Sequence, residues 1–173
     1  MHKGVTLYNV VFPIWLLLLF PTVWIVVLPA NFIIDSLVLL LAFAVCKLSG
    51  RKSLYQQSIL KVWGLGFLAD IIGTILLLLT QFMDRMVDES SAFGRWFYDN
   101  IASAVAYNPF KNLYAFLVVL LAVALSGFLI YVFNYKIALK KWPVEDLQRK
   151  KAALLLAVLT APYVFFVPTS RLY

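Results

Sequence analysis

Long apolar runs, parted by short polar stretches, cover most of the chain. A membrane-spanning helix needs about 20 apolar residues. The first run, residues 9–48, is roughly twice that. It is interrupted at Pro29, which lacks a backbone donor, and at Asn31, a good helix N-cap. The pattern therefore predicts two helices, 10–28 and 32–47, joined by a tight hairpin, or else one span with a re-entrant piece. Pro13 falls in the first turn of the first helix, and Pro21 in its middle, where a kink is expected. Ser49, Gly50, Arg51, Lys52 and Ser53 form a polar stop. Further spans are expected at 58–81, 113–133 and 152–167. The fourth is expected to continue helically to Lys141, and Pro143 to open the helix leading into the fifth.

Between the third and fourth spans, Phe93, Trp96, Phe97, Ile101, Ala104 and Val105 recur at helical spacing. Arg95, Asp99 and Ser103 fall mostly opposite. This pattern predicts an amphipathic helix over 91–107, lying in the outer membrane interface, where it either covers a cavity or simply rests in the headgroups.

Composition agrees with the pattern. Hydrophobic residues make up 64% of the 173 positions and charged ones 13%. Soluble domains are nearer 45–50% and 25%, so the solvent for this surplus must be lipid. The fold class is an all-α integral membrane protein with five transmembrane helices and one interfacial helix, in one domain. The first run is too long for a cleavable signal peptide.

The net charge is +7, with 15 basic residues. Eleven of them (Lys3, Lys47, Arg51, Lys52, Lys61, Lys136, Lys140, Lys141, Arg149, Lys150 and Lys151) fall on one side of the expected topology. The positive-inside rule makes that side cytoplasmic. It places the N-terminus inside and the C-terminus outside a bacterial cytoplasmic membrane. A single first span would move the N-terminus outside. The basic loops suit anionic lipid headgroups rather than nucleic acid.

Two acids, Asp35 and Asp70, lie inside apolar runs. A carboxylate in hydrocarbon costs at least about 2.5–3.5 kcal/mol and usually faces a protein interior or a hydrated cavity. On the 58–81 helix, Gly66, Asp70, Gly73, Thr74, Leu77, Gln81 and Asp84 follow helical spacing. Asn31 and Asp35 are one turn apart, with Ser36 adjacent. Asp35 is expected about a turn inside the outer boundary and Asp70 near mid-membrane. With Asp84 they are expected to line one acidic, outward-facing vestibule. The candidate ion or proton site is thus Asp70, Asp35, Asn31 and Thr74, with Gln81 and Asp84 at its mouth. The other reading of Asp35 and Asp70 is structural, as hydrogen-bonding or capping groups that fix helix packing. Gly66, Gly73, Ala122 and Ser126 are the small-residue faces where helices approach closely, within the chain or between subunits.

Enzyme chemistry finds little support. His2, close to the terminus, is the only histidine, so no plausible Ser–His pair is expected. Intramembrane aspartyl proteases carry an aspartate after Gly-x-Gly, whereas Gly64-Leu65-Gly66 is followed by Phe67. With Cys46 as the one cysteine, zinc, haem and iron–sulfur ligation are not expected, and no cofactor is. Two functions remain. One is transport or conduction of a small cation or proton past the intramembrane carboxylates. The other is an accessory or regulatory subunit of a larger complex. Either fits a homo-oligomer or a hetero-complex.

Overall fold

A computed structural model describes residues 13–48, 50–88 and 90–169. Every regular element among them is helical. A 3-10 turn, Ile14–Leu19, leads into α1 (Pro21–Val45), and α2 (Arg51–Met86) follows. Next, α3 (Ala92–Phe97) passes through a π turn, Tyr98–Ala102, into α4 (Ser103–Tyr107). A 3-10 turn at Pro109–Lys111 precedes α5 (Leu113–Phe133), which winds into a second π turn, Asn134–Ala138. Last come α6 (Asp146–Thr160) and a 3-10 turn, Tyr163–Phe166.

Three stretches are long and apolar enough to cross a membrane: Pro21–Val45, Arg51–Met86 and Leu113–Ala138. The hairpin expected at 28–31 does not form. α1 runs unbroken through Pro29, so the separate spans 10–28 and 32–47 become one. Residues 10–12 lie outside the described residues. Leaving a helix in hydrocarbon would strip water from unpaired backbone groups, a greater cost than one missing donor. Trp63 of α2 also donates its indole N–H to the Leu28 carbonyl at 2.9 Å, beside the proline. Pro21, expected to kink a helix, instead starts one, where its missing N–H is harmless.

The other boundaries shift less. α2 exceeds the expected 58–81 at both ends and is about 54 Å long at 1.5 Å per residue. α5 matches 113–133 and is capped by Asn112, whose side chain accepts the Ala115 N–H at 2.9 Å. Its helical winding stops at Ala138, short of Lys141. α6 begins at Asp146 rather than Pro143 and ends at Thr160, about 22 Å later. The expected 152–167 span is therefore not a continuous helix. The 91–107 helix is present, with a π turn at its centre.

Specific contacts order the two ends of the bundle. At the basic end, Phe43, Leu139, Trp142 and Leu156 pack in one core. Trp142 donates to Ser58 Oγ at 2.7 Å. Asp146 accepts from Tyr135 Oη at 2.8 Å and pairs with Lys150 at 2.8 Å, tying the start of α6 to the end of α5. At the opposite end, Trp15, Leu77, Val105, Val119 and Phe165 form a second core. There Trp15 donates to Val105 O and Thr169 to Ala106 O, both at 3.2 Å. So the chain from Asp146 to Thr169 also runs from one end to the other, as a helix followed by a broken turn.

Cysteine labelling with a membrane-impermeant thiol reagent tests this layout, on a Cys46→Ser background. Cysteines placed at 52 and 147 are expected to react from one face, and those at 22 and 95 from the other. A cysteine at 22 that resists labelling from both faces would instead bury that position in mid-membrane and restore the two-helix reading.

Candidate functional site

Asp35 stands near the middle of α1, about 21 Å from its start. That is deeper than a position one turn inside the boundary, because the single α1 carries it inward. Asp70 stands near the middle of α2. Both are buried, at 5% and 8% exposure. They line one cavity of about 450 Å³, which opens to the surroundings past the exposed side chains of Val26, Ile34, Tyr163 and Val164. α1 supplies Val27, Asn31, Ile34 and Asp35 to it, and α2 supplies Gly66, Phe67 and Asp70. The 3-10 turn Ile14–Leu19 closes one side with Leu17 and Leu18, and residues 159–164 close another.

Gly66 makes the approach of the two helices possible. A Cβ there would lie 3.7 Å from Asp35 Oδ2, so the Asp35 carboxylate rests against the bare backbone of α2. Asp70 follows one turn later on the same face. Asp70 Oδ1 is buried and has no hydrogen-bond partner among the described residues. A net hydrogen bond contributes about 0.5–1.5 kcal/mol, and an unmade buried one costs about 1–3. Asn134 Oδ1 is orphaned in the same way, so what sets Asp70 apart is that its carboxylate also lines a cavity. Asp35 does not cap a helix either, since it lies well inside α1. No Lys, Arg or His lines the cavity among the described residues.

The wall at 159–164 is where the last pass breaks. Pro162 has no N–H, and Ala161 takes the extended conformation (φ −58°, ψ 149°) that a following proline favours. Val158 O would have bonded residue 162. It accepts the Tyr163 hydroxyl instead, at 2.6 Å. Leu159 O loses its usual donor too, because the Tyr163 N–H goes to Ala161 O at 2.7 Å. The C-terminal end of a helix, which carries partial negative charge, thus borders the cavity that holds the two carboxylates.

The remaining candidates divide. Asn31 lines the cavity. Thr74 does not; it is fully buried, and its hydroxyl donates back to Asp70 O at 2.9 Å. Gln81 is engaged at the far end of α2, donating to Ala102 O at 3.1 Å. Asp84 is half-buried, about 21 Å beyond Asp70 along α2. Neither lines the cavity, so two carboxylates rather than three meet there, and the expected vestibule is not assembled. The 92–107 helix contributes no wall and is not a lid over this site. It buries Phe97, Ala104 and Val105 and leaves Phe93 and Trp96 outward, Trp96 lying edge-on to Tyr114 at 5.2 Å.

Gly73, Ala122 and Ser126 do meet, inside the chain. A Cβ on Gly73 would come 2.1 Å from Ser126 Oγ and 3.2 Å from Ala122 O. Ser126 Oγ donates to Ala69 O at 3.1 Å, stitching α5 to α2. Sequence reading missed the walls formed by Val27, Phe67, Thr160 and Tyr163. A usable signal was present in Ala161-Pro162, since a residue before proline resists helical geometry.

Set against protein-family models, curated proteins and solved structures, the chain matches none of them.

Gly73→Ala is expected to cost about 1–3 kcal/mol through overpacking, read as a lower thermal midpoint in detergent. Adding Ser126→Ala should recover part of that loss, with a coupling above about 0.5 kcal/mol. Strict additivity of the two changes would contradict the contact.

Proposed function

We propose that this chain moves a small cation or proton across the membrane through the cavity between α1, α2 and the break at Pro162. The observation that carries the reading is the pair Asp35 and Asp70 in one cavity, with Asp70 Oδ1 unpartnered and no basic side chain lining the space among the described residues. Acids kept at that depth without a neutralising cation suit a cargo that brings the positive charge. The end of α6 supports the same sign, because its last carbonyls lie at the negative pole of the helix. Broken helices of this kind border ion sites in secondary transporters.

In this reading the membrane is crossed four times, by α1, α2, α5 and the composite segment 146–169. The basic end, with Lys47, Arg51, Lys52 and Lys136–Lys151 residues, is cytoplasmic by the positive-inside rule. The 3-10 turns Ile14–Leu19 and Tyr163–Phe166 then lie toward the outer side. Anionic headgroups are the natural neighbours of the basic end.

One observation favours the second reading, an accessory subunit. α1 leaves Ile25, Val26, Ile33 and Leu37 exposed, a face on which either lipid or a partner helix can sit. Reconstitution separates the two. A transporter works when purified and reconstituted alone, whereas a subunit is inactive alone and co-purifies stoichiometrically with a larger partner.

In vesicles holding the purified chain, Asp70→Asn is expected to lower cation or proton flux to the protein-free level, with unchanged insertion and thermal midpoint. Asparagine keeps the shape and loses the ionisable group. Asp84→Asn, remote from the cavity, should change flux by less than about fivefold. Full flux in Asp70→Asn would overturn the assignment.

A further inference from the structure

The cavity is larger and more apolar than a proton or metal ion requires. Its volume of about 450 Å³ falls within the range of about 300–1,000 Å³ typical of small-molecule sites. Leu18, Val27, Ile34, Phe67 and Val164 give it aliphatic and aromatic walls. Such walls add nothing to the coordination of a small metal ion, whose oxygen ligands would come only from the polar side of the cavity, at Asn31, Asp35, Asp70 and Thr160. The walls do match the hydrocarbon part of an organic cation. Phe67 and Tyr163 add aromatic surface to the lining.

The molecule contains its own comparison. A second cavity, of about 440 Å³, lies between α5 and α6, lined by Leu120, Ala124, Leu154 and Val158 among others, with no acidic residue. A third, of about 520 Å³, lies between α1 and α2 at Trp24, Phe32 and Trp63, so size and apolarity are shared by all three. Buried carboxylates belong to only one.

We infer that the cavity of Asp35 and Asp70 binds a lipophilic monovalent cation, an amphiphile whose positive centre sits at the two carboxylates and whose hydrocarbon fills the apolar walls. This rests on the transport reading of the same site and names its cargo. Charge is recognised by Asp70, whose Oδ1 has no other partner among the described residues, together with Asp35 against Gly66. Shape is recognised by α1, through Val27, Ala30 and Ile34.

The test uses the full chain in phosphatidylcholine nanodiscs and radiolabelled tetraphenylphosphonium as the probe. Tetraphenylborate, nearly the same shape with the opposite charge, is the control. Saturable binding of the phosphonium near one per chain is expected, with none of the borate. Asp70→Asn should weaken binding at least about 30-fold. Ala30→Trp and Val27→Phe, which fill the cavity, should each abolish it. Ala124→Trp, in the acid-free cavity between α5 and α6, should leave it unchanged. Thermal unfolding of each variant identifies any that has lost its fold.

Absence of saturable phosphonium binding overturns the inference. So does equal binding of the borate, or binding that survives both Asp70→Asn and Asp35→Asn, or binding indifferent to both filling variants. If phosphonium fails to bind while Asp70-dependent flux of protons or sodium persists in vesicles, the cargo is wrong and the transport reading stands. If both fail, both readings fall.

Discussion

The close approach of α2 and α5 at Gly73 fixes the frame on which the rest of the bundle is built. No side chain larger than hydrogen fits between the α2 backbone and Ser126. The Ser126 hydroxyl then bonds Ala69 O one turn earlier, so α2 is held in rotation as well as in distance. With its Ala69–Gly73 face committed to α5, α2 presents Gly66 and Asp70 to α1 and to the end of α6. In lipid no hydrophobic force draws helices together, so small residues and interhelical hydrogen bonds decide such contacts. The carboxylate is where it is because a glycine and a serine elsewhere set the rotation of its helix.

Two prolines meet opposite fates in this frame. Pro29 lies on an exposed part of α1, and the helix passes through it. Pro162 is buried, and the helix ends before it. The Tyr163 hydroxyl takes over the Val158 carbonyl that Pro162 cannot serve. Around the second break several polar groups gather: two carboxylates, Asn31, Thr160 and the carbonyl end of α6. The cavity thus combines a wet chemistry with a dry lining, and α1 and α2 supply both from adjacent turns.

Much of this was legible in the sequence. The α5 boundaries follow from an unbroken apolar run preceded by Asn112, and the helical spacing of Phe93 to Val105 locates the short surface helix. Asp35 and Asp70 stood out because carboxylates rarely lie within apolar runs. The small-residue pattern of Gly73, Ala122 and Ser126 found the helix contact. The misreadings share a cause. Proline rules drawn from helices in water predict a break at Pro29, where hydrocarbon makes breaking costlier than continuing. Depth for Asp35 was then counted from residue 32, whereas the helix that carries it starts at Pro21. Spacing along one helix grouped Thr74, Gln81 and Asp84 with Asp70. It could not show that Thr74 bonds its own backbone or that Gln81 is spoken for at Ala102. The walls at Phe67 and Tyr163 depend on which helices become neighbours, and no local pattern encodes that.

The shortness of α6 bears on how such a chain enters a bilayer. At about 22 Å, α6 falls short of the roughly 30 Å hydrocarbon layer. The stretch after it is irregular backbone that lipid cannot solvate. Its Pro162, Phe165 and Thr169 are buried against the other elements. A segment of that kind is not stable as an independent spanning unit, so its surroundings must exist before it arrives. α1, α2 and α5 are each long enough to insert alone. In the four-pass reading the lengths imply an order of assembly: three helices enter first, and the segment 146–169 docks against them. In that reading the cavity, one wall of which is residues 159–164, is completed only at that step.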